Sequence, residues 1–203
     1  MKTFQLSAEV RTDLGKKGSK ALRKQELIPA ILYGFNDNTA LTVSQDAVRK
    51  LIYTPDIYLI EMTVGGATKT CILQDIQFHP VTDKILHIDF LEVKADKPII
   101  IEVPVVLEGH AVGVRAGGKL SLDMRKLKVK ALYSNVPEKL TIDVSKLGLG
   151  KTIQVGSLSF ENIELLNAKN AVVAAVRLTR AARGAAAKAA LEAEDEDAEE
   201  GEE

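Results

Sequence analysis

Residues able to do chemistry are few in this chain. Gly148-Leu149-Gly150-Lys151-Thr152 ends like a phosphate-binding loop. That motif needs another glycine five residues before Gly150, where Ser145 stands, and a helix after it, where the pattern reads strand and loop. A β-hairpin turn is the expectation. His79, His87 and Asp89 are metal-ligand types. In a strand from Ile85 to Val93, His87 and Asp89 share one face, with Leu86, Ile88 and Phe90 on the other. A metal wants a third or fourth ligand and a supporting shell, and only His79 is near in sequence. A hydrogen-bonded His–Asp pair of structural value, or two polar groups shown to a polar partner, are the plainer readings, so no metal is expected. Cys71 lies among Lys69, Thr70, Ile72 and Leu73 without an activating base, so a packed thiol is expected. No enzyme, cofactor or small-molecule substrate emerges.

The stretch Arg11 to Arg23, RTDLGKKGSKALR, is different. Gly15 and Gly18 loosen it, and Arg11, Lys16, Lys17, Lys20 and Arg23 are opposed only by Asp13. Ser19 is placed to cap a helix running through Ala21 to Glu26, which Pro29 soon ends. A helix N-terminus offers free N–H groups and a positive dipole end, both suited to phosphate. Lysines supply point charges and arginines planar, two-pronged contacts to a nucleic-acid backbone. The competing reading is a mobile, solvated lysine loop.

Short strands must position these groups. Phe4, Leu6, Ala8 and Val10 alternate with polar residues and run straight into the basic loop. Ala30 to Tyr33 is a second strand, with turn residues at Asn36, Asp37 and Asn38, and Leu41 and Val43 mark a third. A helix of about two turns follows, capped by Ser44 or Asp46. Tyr58–Val64 and Thr68–Phe78 flank a Gly65-Gly66 hairpin turn, and Ile85–Val93 completes the unit. Six strands and two helices suit a small, largely antiparallel barrel. Lys94 to Pro98 marks a boundary, giving a first domain at 1–93 and a β-rich second domain at 94–180. In the second, Pro104 suggests an edge strand, Gly109 to Gly118 reads as loop, and Leu127, Val129 and Ala131 alternate with Lys126, Lys128 and Lys130. Residues 181–203, Ala-rich and then acidic, should be disordered.

Charge is segregated along the chain. Residues 1–93 hold 11 basic and 11 acidic side chains, 94–188 hold 16 and 8, and 189–203 hold none and 9. Such local fields steer partners despite a net charge of -1. Trp is absent and aromatics total 4%, which disfavours a base-stacking platform. A single cysteine allows no internal disulfide. The N-terminus lacks the apolar run of a signal peptide and no stretch is apolar enough to span a bilayer, so a cytoplasmic, soluble protein without a membrane partner is expected.

One resemblance joins these pieces. Phe4 to Arg11, Gly15-Lys16 to Arg23, Pro29-Ala30-Ile31-Leu32-Tyr33-Gly34, Gln74-Asp75-Ile76-Gln77-Phe78-His79-Pro80 and His87-Ile88-Asp89-Phe90 occur in order. Together they resemble the bacterial large-subunit ribosomal proteins that bind 5S rRNA, the general stress protein Ctc family, and the second domain and acidic tail are similar to its longer, two-domain members. The resemblance implies a mainly β fold: an N-terminal six-stranded β-barrel with two helices, then a second β-rich domain. It implies a structural, ribosome-bound role on 5S rRNA in the central protuberance, with neighbouring rRNA and ribosomal proteins as further partners. Carried onto matching positions, it implies RNA contacts from Arg11, Lys16, Ser19, Lys20, Arg23, Tyr33, Gln74, His87 and Asp89. Ala21 and Phe78 depart from it, standing where short members carry an arginine and a basic residue. The rival reading is a stress-related protein-interaction adaptor working through the second domain and tail.

Overall fold

The computed structural model describes residues 1–34 and 38–179. The turn expected at Asn36 and Asp37 and the tail expected at 181–203 lie outside the described residues. By backbone proximity the chain makes two compact units. One is Met1–Pro104 with Lys128–Glu138 and Asn162–Glu164; the other is Val105–Leu127 with Lys139–Glu161 and the described residues from Leu165 on.

The first unit holds a closed barrel, as expected. Its elements are β1 (Lys2–Val10), α1 (Lys16–Lys24), β2 (Leu27–Tyr33), β3 (Thr39–Ser44), α2 (Gln45–Ile52), β4 (Tyr58–Val64), β5 (Ala67–Phe78) and β6 (Ile85–Glu92). The strand order is β1-β3-β2-β6-β5-β4, and closure leaves no free edge. Four neighbouring pairs are antiparallel; β1–β4 and β2–β6 are parallel. Period-2 patterning sends Ile28, Ala30 and Leu32 of β2, Ile60 and Met62 of β4, and Ile88 and Phe90 of β6 inward. Val48 and Leu51 of α2 join the same core. Gly65 and Gly66 both take positive φ, +56° and +89°, as a two-residue hairpin turn requires.

Two irregularities interrupt the β5–β6 ladder. Leu73 pairs with Phe90, and Asp75 pairs with Asp89, so Gln74 is an extra residue on β5. Gln77 pairs with His87, and Phe78 with Ile85, so Leu86 is an extra residue on β6. Leu86 therefore departs from the inward row expected with Ile88 and Phe90. Such bulges release backbone groups and re-aim the side chains around them.

The remaining strands are β7 (Ile99–Glu108), β8 (Lys119–Leu122), β9 (Lys126–Ala131), β10 (Leu140–Asp143), β11 (Thr152–Gln154), β12 (Glu164–Leu165) and β13 (Val172–Arg177). They form a sheet ordered β10-β7-β9-β12 and another ordered β11-β13-β8. β7 runs unbroken through Pro104 and is an inner strand, which corrects the expected edge position. The reason is local: pairing with β10 begins at Val105, whose N–H reaches Arg125 O at 2.9 Å, so the N–H that Pro104 lacks is not required there. On β9, Leu127, Val129 and Ala131 are buried and the three lysines exposed, as the alternation predicts. A short helix, α3 (Val112–Arg115), interrupts the stretch expected to be loop. Gly148 to Lys151 leads into strand β11 with no helix between them, and because β10 pairs with β7 and β11 with β13 it is not the hairpin turn expected.

Candidate nucleic-acid interface

The cationic face begins where β1 ends. Arg11 N–H still bonds Ala40 O at 2.9 Å, and the chain then leaves the barrel. Gly15, at φ +119°, turns it into α1 and is the residue before the helix; no side chain caps that end. Ser19 is thus not the cap expected from sequence. The glycine's freedom at positive φ starts the helix at Lys16, four residues early, and Ser19 lies inside it. Its hydroxyl instead accepts a hydrogen bond from Arg11 Nη1 at 3.1 Å. Arg11 Nε is buried and meets no acceptor among the described residues, an unsatisfied donor of the kind that working sites retain.

The early start has an electrostatic consequence. Lys16 and Lys17 occupy the first turn, and no acidic residue accompanies them. Cations there oppose the helix dipole, at a cost of about 0.3–1 kcal/mol each. An anion brought to this end removes that cost. Gly18 faces inward, where a Cβ would stand 2.6 Å from Asp13 Oδ2, so the loop's one carboxylate lies against the helix. Lys16, Lys20 and Arg23 recur at helical spacing and are exposed. The two lysines make no ion pair among the described residues.

Arg23 connects this helix to the sheet. Its Nε donates to Leu86 O at 3.0 Å, the carbonyl of the extra residue on β6. The next residue is His87, whose Nδ1 lies 2.7 Å from Asp89 Oδ1; both side chains are half-buried. Asp89 pairs with Ile31 of β2 on one side and Asp75 of β5 on the other. Tyr33 belongs to the same patch. Burial first, and then the charges of Asp89 and Asp75, hold its hydroxyl above the usual 10.0. The phenol is therefore neutral at physiological pH and able to donate a hydrogen bond. Gln74 is exposed on its bulge.

The structure thus brings Arg11 to Ser19, Arg23 to the strand of His87 and Asp89, and Tyr33 to Asp89. Among the described residues, no side-chain hydrogen bond or ion pair joins Lys16, Lys20 or Gln74 to the others. Two residues on the same face escaped the sequence reading, Asp75 opposite Asp89 and Gln77 opposite His87. Hairpin pairing of β5 with β6 would have pointed to both, had the bulge been visible. His79 is occupied elsewhere: its Nδ1 accepts from the backbone N–H groups of Val81 and Thr82 at 3.3 and 3.2 Å, closing the β5–β6 turn. Cys71 is wholly buried, and burial, seconded by the Glu92 charge, pushes its thiol up to about 12, so it stays protonated.

The Tyr33 environment has a measurable result. A phenol held above its ordinary value stabilises the fold below pH 10, and that contribution is lost as pH climbs through its raised value. In an ultraviolet titration of tyrosinate, one of the four tyrosines is expected to ionise late, and Tyr33→Phe should remove that late fraction. A Tyr33→Phe curve matching the parent's above pH 10 would refute the placement.

A closed barrel, a cationic helix pinned to it and a polar strand face define a small β-barrel protein with one cationic, polar surface. Comparison with known proteins makes the assignment particular. Residues 6–90 match the model of the Ribosomal L25p family, and residues 98–180 match that of Ribosomal protein TL5, C-terminal domain. The chain belongs to the ribosomal L25p family. It is 66% identical over 172 residues to a Porphyromonas gingivalis protein named large ribosomal subunit protein bL25, covering 84% of this chain and 90% of that one. It is 61% identical over 175 residues to the protein of the same name from Parabacteroides distasonis, with the same shares covered. With that from Bacteroides thetaiotaomicron it shares 53% over 174 residues, 83% of this chain and 89% of the other.

Proposed function

We propose that this protein is a structural constituent of the large ribosomal subunit in the cytoplasm, and that residues 1–93 bind 5S rRNA in the central protuberance. The observation carrying this reading is the Arg23–Leu86 hydrogen bond. It holds the cationic helix beside the His87–Asp89 strand, so one RNA segment can meet both. Lys16, Lys20 and Arg23, with Arg11 and Ser19 behind them, would take phosphates and set register. Tyr33, Gln74, His87 and Asp89 would hydrogen-bond base edges or 2′-hydroxyls in a wide, shallow RNA groove. A carboxylate on such a face suits amino and hydroxyl donors, and phosphate contact falls to the helix. Neighbouring rRNA and ribosomal proteins are the further partners, with 94–180 as a second module.

Arg23→Ala tests the site. Arg23 is exposed and makes one backbone hydrogen bond, so the melting temperature should move little, while affinity for 5S rRNA should fall about tenfold. Undiminished binding would remove Arg23 from the interface. Sedimentation of a lysate tests the wider role: the ribosomal reading places the protein with large subunits, whereas an interaction adaptor would stay in the free fractions.

A further inference from the structure

The second unit carries a cationic surface that 5S rRNA binding by residues 1–93 does not use. Loops 109–118 and 144–151 close on each other over a small core of Ala111, Val144, Leu147 and Val176. Val112 N–H donates to Ser145 O at 3.4 Å and Gly113 N–H to Leu147 O at 2.9 Å. The approach is backbone on backbone. A Cβ on Gly113 would stand 2.6 Å from Gly148 C and Leu149 N, and one on Gly118 2.5 Å from Val176 Cγ1. Only glycine permits such contact, so the loops form a fixed platform.

Arg115, Lys119, Lys146, Lys151 and Arg177 are all exposed on it. Lys119 pairs directly with Arg177 across β8 and β13, which puts like charges on one face and costs folding free energy. Asp123, 2.9 Å from Arg177, offsets one of them. Asp143, its carboxyl held below the usual range first by the Ser145 hydroxyl and backbone N–H, faces Lys146. Arg115, Lys119 and Lys151 make no ion pair among the described residues. The Lys151 stem lies over Gly148, 3.6 Å from where a Cβ would be, and Gly148 is the backbone on which Gly113 of α3 packs. The lysine-coated strand β9 behaves differently: Lys128 pairs with Glu102 at 3.9 Å and Lys130 with Glu164 at 3.2 Å. Two of the three lysines on that face thus have carboxylate partners, whereas Arg115, Lys119 and Lys151 on the glycine platform have none among the described residues.

We propose that this platform is a second RNA-backbone contact, with Arg115, Lys119 and Lys151 neutralising phosphates of ribosomal RNA. It rests on the ribosomal reading of the chain. Three unmatched cations, set by rigid backbone on three separate elements, fit a partner with densely repeated negative charge, which RNA supplies.

Two experiments on the full chain test it. In the first, amine acylation is read by mass spectrometry on free protein and on assembled large subunits. Lys119 and Lys151 should lose reactivity tenfold or more on assembly, and ultraviolet crosslinks from this region should run to nucleotides. Equal reactivity in both states, crosslinks to protein instead, or protection already present in the free chain, which would give the platform to the chain's own acidic end, would each overturn the proposal. In the second, Arg115→Gln, Lys119→Gln and Lys151→Gln are combined in a chain already carrying Lys16→Gln, Lys20→Gln and Arg23→Gln. The remaining salt slope for protein-free large-subunit rRNA should fall by about 2, at roughly 0.7–0.9 per contact. An unchanged slope would sink it. If the protein never entered large subunits, the ribosomal reading would fail in the first experiment, while the second would still report on the platform.

Discussion

Changing Lys16, Lys20 and Arg23 together to glutamine is expected to cut affinity for 5S rRNA about a hundredfold or more at 0.1 M salt. Each phosphate contact contributes roughly 0.7–0.9 to the slope of log affinity against log salt. At 0.1 M, one decade below a 1 M reference, three contacts therefore hold about 2–2.7 log units. The same change should flatten the slope by about 2–2.7, so wild type and variant should converge near 1 M, where counterion release vanishes. Stability should barely change, since all three side chains are exposed. It could even rise, because Lys16 sits at the positive end of α1 without an acidic neighbour. Convergence separates this account from one in which the helix is merely misfolded, for misfolding would lower affinity at every salt concentration. A hundredfold loss with an unaltered slope would mean that these residues touch no phosphate.

Much of the barrel could be read from residue order because its local rules agree with one another. Tyr58–Val64 has the bounds the alternation predicts, and Gly65-Gly66 supplies the two positive φ angles its hairpin needs. The basic helix was legible as charge, but its start was not. Sequence rules favour serine as a cap, whereas Gly15 achieved the turn by backbone conformation alone and moved Lys16 and Lys17 into the first helical turn. The polar face was legible on β6 and only partly on β5. Strict alternation from Cys71 and Leu73 would turn Asp75 inward and Ile76 outward. The extra residue Gln74 reverses this, sending Asp75 to the outer face opposite Asp89 and Ile76 to the core side. A bulge of one residue leaves no compositional trace, so pairing partners at a site edge are what single-chain patterning fails to see. Pro104 failed for a related reason: whether a missing N–H matters depends on where the neighbouring strand begins, and that is a tertiary fact.

The barrel's own stability carries the other large effect. Phe90→Ala is expected to cost about 3–5 kcal/mol, since the ring is fully buried and small side chains cannot fill its space. Phe90 pairs with Leu32 of β2 and Leu73 of β5, so the cavity would open where three strands meet. At about 4–8 °C per kcal/mol for a domain of this size, the melting temperature should drop on the order of 15–30 °C. Phe90→Leu keeps most of the volume and should cost about 1.5 kcal/mol or less. The change also tests how core and interface are coupled, because Asp89 rides on the same strand with its carboxylate outward. Saturating 5S rRNA, at about 100 times Kd, stabilises whatever folded protein binds it by about 2.7 kcal/mol. If Phe90 supports only the fold, RNA should raise the melting temperatures of parent and variant by equal free energies. If the ring also holds His87 and Asp89 in register, the variant should gain less. A drop of only a few degrees for Phe90→Ala would show that the ring does not seal the barrel interior, and the placement of the polar face above it would lose its support.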